Sequence, residues 1–329
     1  MRGNTLQRSY LREHMNNQAL PFLVHETDIS GRLVQLTDVA QDIASRRTLP
    51  IPVQGLLAEA VAIAGAMRSL LQFQGKLIIQ AKGKGPVSML VAQATPDGGL
   101  RATANVDEKR LKAYGKIPSF YALLGEGYVA FSLDRGSDFE LTQGIVELQK
   151  EGLAASLQHY FDQSDQISLR LISAAKFRDT GWVSGAIAIQ RLPLIGGEGA
   201  TDSAASGQTY GERTGAKIGH EEIAKDMWDE VLTLFNTTKA SELTDPNLSG
   251  QQLLYRLFHE QGVRVAEPEG LTRFCVCDKE RFVIALQSLN EADLSEVFTD
   301  GQASSTCEFC GTTYTASREE LASFARSAI

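Results

Sequence analysis

Cysteine is absent from the first 274 residues of this 329-residue chain. Several other devices are missing altogether. No G-x-x-x-x-G-K-[ST] run occurs, so nothing points to a P-loop. No H-E-x-x-H occurs, and the five histidines (His14, His25, His159, His220, His259) are scattered. Nothing marks a Ser/His/Asp site, and no enzyme is expected. The first ten residues lack an apolar h-region, which argues against a signal peptide. The most hydrophobic stretch, 61–67, is flanked by Glu59 and Arg68. It is too short to cross a bilayer and predicts a buried helix. Positive charge is also short: Lys and Arg number 32 against 40 Asp and Glu, giving a net charge of −8. That balance argues against a general nucleic-acid binder. Together these absences predict a soluble cytoplasmic protein, with no nucleic-acid or membrane partner, in a compartment that keeps thiols reduced.

What is present sits at the other end. Cys275-Val-Cys277 and Cys307-Glu-Phe-Cys310 lie in the last fifth, with 29 residues between the pairs. Thiolates are soft ligands, and four of them suit tetrahedral zinc. In an extended segment Cys275 and Cys277 face the same way, with Cα atoms about 6.6 Å apart. Cys307 and Cys310 have the spacing of a tight turn, and Gly311 follows where such a turn favours positive φ. The expected ligands of one Zn2+ are therefore Cys275, Cys277, Cys307 and Cys310. C-x-C is unusual beside the common C-x₂₋₄-C, and either pair can instead close as a short, labile disulfide. A purely structural zinc ribbon remains open. Arg273, Lys279 and Arg281 flank the first pair and can lower thiol pKa values, or they are ordinary solvated charges. Residues 271–329 carry five Lys/Arg against nine Asp/Glu, so this tail is not a basic patch either.

Hydrophobic residues make up 43% of the chain, ample for a sizeable core. Strands are expected from Phe22, over 76–82, 87–94, 100–106, 127–133, 167–174 and 183–192. Gly83-Lys84-Gly85-Pro86 and Pro96-Asp97-Gly98-Gly99 read as hairpin turns, with phosphate binding at Gly83 and Gly85 a distant second. Helices are expected around Ile43, ended by Pro50 and Pro52, and over 54–73 and 153–161. The fold class is α+β: a strand-rich core with packed helices over 1–195, then a flexible and afterwards helical linker over 196–262, then a small four-cysteine zinc domain over 263–329. Residues 196–219, rich in Gly, Ser and Ala, give the linker its flexible half. Helices at 221–235 and 250–261 carry Ile223, Met227, Val231, Leu234, Leu254, Leu257 and Phe258 on apolar faces that must be buried, and the core is the obvious partner. A helix is expected over 279–289. His259 is a spare ligand or, more simply, a packing residue.

The run Leu253-Leu-Tyr-Arg-Leu-Phe-His-Glu-Gln-Gly-Val-Arg-Val, followed by Cys275-Val-Cys277-Asp-Lys-Glu-Arg-Phe and Cys307-Glu-Phe-Cys310-Gly, closely resembles the redox-switched heat-shock holdases, the 33-kilodalton chaperonin family. Gly83-Lys-Gly-Pro, Ala94-Thr-Pro-Asp-Gly, Leu124-Gly-Glu-Gly-Tyr-Val, Gln143-Gly-Ile-Val and Tyr160-Phe-Asp-Gln-Ser-Asp-Gln extend the resemblance over about residues 33–314. It implies an ATP-independent chaperone whose four cysteines hold zinc at rest. It further implies that oxidant forms Cys275–Cys277 and Cys307–Cys310 disulfides, expels the metal, unfolds the small domain and loosens the linker helices. Apolar surface then binds unfolding client proteins, and the active form is a homodimer. Two other classes compete: a zinc-ribbon adaptor with a fixed protein partner, and a thiol oxidoreductase using Cys307 and Cys310. The C-x-C pair and the amphipathic linker favour the switch, and no βαβ context surrounds Cys307.

Overall fold

The computed structural model describes residues 17–25, 27–71, 75–114, 118–135, 142–164, 168–191 and 219–327. The Gly/Ser/Ala-rich half of the linker, 196–218, lies outside the described residues. Strands β1 (Gln18–Val24) and β2 (Ile29–Leu36) lead into helices α1 (Asp38–Ser45) and α2 (Ile51–Leu71). Then come β3 (Lys76–Gly83), β4 (Val87–Ala94), β5 (Gly99–Val106), short helices α3 (Glu108–Leu111) and α4 (Phe120–Leu124), β6 (Gly127–Asp134) and β7 (Thr142–Glu147). Helix α5 (Leu153–Ser164) precedes the hairpin β8 (Leu169–Arg178) and β9 (Gly181–Arg191). Helices α6 (Gly219–Phe235), α7 (Ala240–Leu243) and α8 (Gly250–Phe258) follow, and then three short strands, β10 (Val263–Val265), β11 (Glu269–Gly270) and β12 (Thr272–Arg273). The chain ends in α9 (Lys279–Gln287), α10 (Glu291–Val297), β13 (Phe298–Thr299), β14 (Gln302–Thr306), β15 (Thr313–Ser317) and α11 (Arg318–Ser327). The expected α+β class is the observed one.

Two sheets enclose α2. One runs β10-β1-β2-β9-β8, with β11 also on β1, and the other β12-β5-β4-β3-β6-β7. The first sheet presents Val34, Leu36, Ala186 and Ala188 to the helix, and the second presents Leu77, Ile79, Leu90, Ala92 and Leu100. A helix clamped between two sheets must be apolar all round. That is why α2 reads IPVQGLLAEAVAIAGAMRSLL, with buried residues from Val53 to Leu70. At 21 residues it is long and apolar enough to cross a membrane, yet 78% of its most apolar window is buried in the fold. It is a core helix, close in extent to the expected 54–73.

One local expectation changes, and the hairpin turn expected at Gly83–Pro86 is present. Pro50 and Pro52 do not end α1, which stops at Ser45; Pro52 opens α2, where a fixed φ and a missing N–H cost nothing. The Gly83–Pro86 turn is built for close backbone approach rather than for phosphate. Gly85 N–H donates to Leu124 O at 2.6 Å and Lys84 N–H to Glu126 O at 2.9 Å, so a side chain at Gly83 or Gly85 would strike the Leu124 segment.

The outer face of the first sheet is covered by the helices after the linker. Leu20, Phe22, Ile29, Leu33, Ile187 and Ile189 meet Trp228, Val231, Phe235, Leu243, Leu254, Leu257 and Phe258 in a second apolar cluster. Val231, Leu254, Leu257 and Phe258 are buried there as expected, Leu234 is partly buried, and the Ile223 side chain is outside the described set. Gly31 stands opposite Phe22, and its missing side chain leaves room for the Phe22 ring, which stacks on Phe258 at 5.7 Å. Helix α8 starts on a reciprocal cap: Gln252 N–H donates to Ser249 Oγ at 3.3 Å, and Ser249 N–H to Gln252 Oε1 at 3.1 Å.

The expected start of the cysteine domain near Val263 falls inside the core. Phe22, Leu23 and Val24 pair with Val265, Arg264 and Val263, and Thr272 and Arg273 lie parallel to Gly99 and Leu100. Short β segments take whatever edge is open, and these complete an edge of each sheet. Residues from Cys275 through α11 instead form a small unit around Val283, Leu286, Ala303 and Ala316, with Leu321 packed against it.

A fragment ending at residue 195 leaves the covered sheet face bare and removes β10–β12. It should melt roughly 10 °C below a fragment ending at residue 274 and bind an apolar dye, as followed by circular dichroism and fluorescence. Equal melting temperatures would show that the helical cover adds no stability.

Candidate metal centre

The four cysteines sit on two kinds of backbone. Cys275 and Cys277 occupy the extended segment between β12 and α9, and Asp278 caps α9 by accepting from Arg281 N–H at 2.7 Å. Cys307 and Cys310 occupy the turn between β14 and β15. Gly311 N–H donates to Cys307 O at 2.8 Å and Cys307 N–H to Thr312 O at 2.9 Å, so the turn closes on itself. Gly311 takes φ 72°, the left-handed conformation expected for it.

This brings together all four expected residues. Their sulfurs lie within 4.8 Å of one another. Cys275 to Cys277 is 3.1 Å, Cys277 to Cys310 is 3.3 Å and Cys275 to Cys307 is 3.7 Å. A zinc ion with four bonds of about 2.3 Å at tetrahedral angles sets its sulfurs about 3.8 Å apart. The cluster therefore fits a four-thiolate ion with small adjustments. All four are free thiols in this arrangement.

The electrostatics favour a shared cation. Burial pushes the Cys277 thiol up to about 12, against a hydrogen bond from Tyr314. Burial also raises Cys307. Burial opposes ionisation of Cys310 too, but the hydroxyl and backbone N–H of Thr312 outweigh it and bring Cys310 down to about 6. A metal reverses this penalty, because each thiolate then faces a positive charge.

Two polar neighbours escaped the sequence reading. The Tyr314 hydroxyl donates to Cys277 O at 3.1 Å and to Cys277 Sγ at 3.4 Å. Thr312 Oγ1 lies 3.2 Å from Cys310 Sγ. Such outer groups orient ligands and spread their charge. The only available signal was their nearness in sequence to Cys310. The flanking cations do not serve the thiols directly: Arg273 pairs with Asp42 at 2.6 Å, Lys279 with Glu320 at 2.5 Å and Arg281 with Asp278 at 3.5 Å. His259 is outside the sulfur cluster, with its ring 5.5 Å from Tyr255.

Metal analysis of the reduced protein should find one zinc per chain. Replacing Cys307 and Cys310 together by Ser should remove it, because two thiolates remain. Zinc retained undiminished in that variant would refute the four-sulfur site.

The Hsp33 protein family model matches residues 17–317. A 33 kDa chaperonin of Caulobacter vibrioides (strain NA1000 / CB15N) is 35% identical over 301 residues, which cover 89% of this chain and 92% of that protein. A 33 kDa chaperonin of Escherichia coli O17:K52:H18 is 27% identical over 317 residues, covering 95% and 96%. The crystal structure of a 33 kDa chaperonin, a heat shock protein 33 homologue from Thermotoga maritima, superposes with a TM-score of 0.73 at 18% identity, covering 95% of this chain and 99% of that one. The fold is thus shared, and with a family model spanning most of its length the chain belongs to the Hsp33 family.

Proposed function

We propose that this heat-shock chaperone family member is a cytoplasmic, redox-regulated, ATP-independent holdase rather than an enzyme. Reduced, it holds zinc on Cys275, Cys277, Cys307 and Cys310 and is inactive. Oxidised, it carries Cys275–Cys277 and Cys307–Cys310 disulfides, dimerises and binds unfolding proteins. Nucleic acid and membranes are not partners in this scheme. The observation that carries it is the convergence of four sulfurs in a unit whose buried apolar core, among the described residues, is Val283, Leu286, Ala303 and Ala316.

When bound, zinc supplies the cross-link that so small a unit lacks. Structural zinc contributes roughly 10–16 kcal/mol of folding free energy. Four buried apolar side chains supply about 1.5–3 kcal/mol each at most, before conformational entropy is subtracted. Peroxide takes two electrons from each pair of thiolates, leaving one disulfide, and is itself reduced to two waters with two protons from solvent. The four sulfurs then no longer offer the thiolates the metal needs, and the unit loses its main support. Apolar surface on the linker helices and on the sheet beneath them becomes available to clients. A fixed-partner ribbon is less well supported, because the Cys307–Cys310 turn is docked on its own core through Thr103 and Arg47.

Peroxide at elevated temperature should convert the protein from no suppression of client aggregation to strong suppression, with zinc lost in parallel. Unchanged light scattering after complete zinc loss would sink the switch. The cover itself is tested at Leu257, which is 7% exposed in the α8 seam. Leu257→Glu should loosen α8 by about 3 kcal/mol and give partial holdase activity without oxidant. If that variant, still zinc-loaded, is no more active than the reduced parent, masking by this helix is the wrong mechanism.

A further inference from the structure

One core side chain touches both halves of the cysteine site. The Arg101 guanidinium on β5 lies 4.8 Å from the Phe274 ring centroid and 4.1 Å from the Phe309 ring centroid. Phe274 immediately precedes Cys275, and Phe309 immediately precedes Cys310. The guanidinium is aimed by its own bond, from Nε to Gln93 Oε1 at 2.8 Å. Backbone contacts reinforce each half. Phe274 N–H donates to Leu100 O at 3.0 Å, and Thr103 Oγ1 donates to Glu308 O at 2.8 Å. Arg47 Nη1 joins the second contact, reaching Thr103 Oγ1 at 3.0 Å and Glu308 O at 3.3 Å. A side chain at Gly311 would crowd Arg46 O at 3.1 Å, so the turn lies close against the core.

We propose that Arg101 is a positioning residue for the metal centre, a clamp that holds the Cys275–Cys277 segment and the Cys307–Cys310 turn to the core together and sets how readily they part. The C-x-C half comes from the end of the core strands and the C-x-x-C half from a hairpin far along the chain. A planar cation with an aromatic ring against it from each half favours the assembled state over either half alone. Arginine suits this place: it is flat, permanently charged and weakly hydrated, and it stacks on rings, which lysine does less well. The contact also ties the state of the sulfurs to the core, because a turn that opens gives up the Phe309 contact and the Glu308 bonds with it.

The consequence for chaperone control rests on the redox reading above, but the clamp is testable without it. The test uses full-length, reduced, zinc-loaded protein and a chromogenic metal chelator. Arg101→Ala should yield zinc to the chelator about tenfold faster than the parent, with the thermal transition of the core unchanged. Arg101→Lys keeps the charge and should still release zinc several-fold faster. Phe309→Leu should resemble Arg101→Ala, and the double variant should be no faster than the faster single one. Extraction from Arg101→Ala at the parent rate, or fully multiplicative effects in the double variant, overturns the clamp. A second arm adds peroxide. A parent that releases zinc on oxidation no more slowly than Arg101→Ala also overturns it, with the redox scheme intact. A parent that keeps its zinc through oxidation refutes the redox scheme instead, and extraction without oxidant then decides on the clamp.

Discussion

Four sulfurs held within 4.8 Å of one another are the constraint on which the last fifth of this chain depends. Neutral thiols are weak donors and weak acceptors, so as thiols they hold nothing together. As thiolates they repel, and burial already opposes the ionisation of Cys277 and Cys307. A shared cation resolves both problems at once. The unit around it has a small core: among the described residues Val283, Leu286, Ala303 and Ala316 are buried, with Phe282, Leu289, Leu294, Phe298 and Leu321 partly so. The core differs in kind, since α2 is enclosed by two sheets and buried among apolar side chains. One molecule thus contains a part stabilised by apolar area and a small part built around four converging sulfurs.

Between the two parts lies the strap of β10, β11 and β12. It is fastened by charge as well as by strand pairing. Glu269 on β11 accepts from Arg68 at 2.7 Å and from Ser69 Oγ at 3.0 Å, and Ser69 Oγ in turn accepts from Arg32 Nε at 2.8 Å. Arg32 is 7% exposed, and burial lowers its pKa while Glu269 opposes that shift. Pulling the strap away would leave a buried guanidinium without its nearest counter-charge, a costly state. Gly65 on α2 gives Leu271 its seat, with a would-be Cβ already 3.3 Å from the leucine methyl.

Much of this was legible in the sequence, and the failures have physical causes. Lys76–Gly83 showed as a strand because its burial alternates, and Gly127–Asp134 because it is a short apolar run, buried from Val129 to Leu133. The cysteine site was legible because ligand spacing is a local property. Strand β2, Ile29–Leu36, was missed: Gly31 and Arg32 break its apolar pattern, and both are there for partners distant in sequence, the Phe22 ring and the Ser69 hydroxyl. The boundary at 263 was misplaced for a related reason. Residues 263–273 are too short and too polar to announce strands, and they become strands only because two sheet edges are open to them. Arg101 carried no signal and Thr312 and Tyr314 only their nearness to Cys310, since a lone Arg, Thr or Tyr gains its role from what the fold sets beside it.

The strap also limits how the two parts can communicate. The cover of α6–α8 and the cysteine unit have separate apolar clusters, with no residue in common among those described. A change at the sulfurs reaches the cover most directly along the backbone that joins them. That backbone runs from Phe274, bonded to Leu100, back through β11 to β10, and Gly262 O there accepts from His25 N–H at 2.9 Å at the foot of α8. Phe258 and Leu257 sit at that same end of α8, against Phe22 and its neighbours in β1, the strand with which β10 pairs. Loosening β10 from β1 removes one edge of the sheet beneath the Phe22–Phe258 stack, so the end of the cover nearest the strap is the first to lose support. The apolar stripe of α8, with Leu257 and Phe258, lies at this junction.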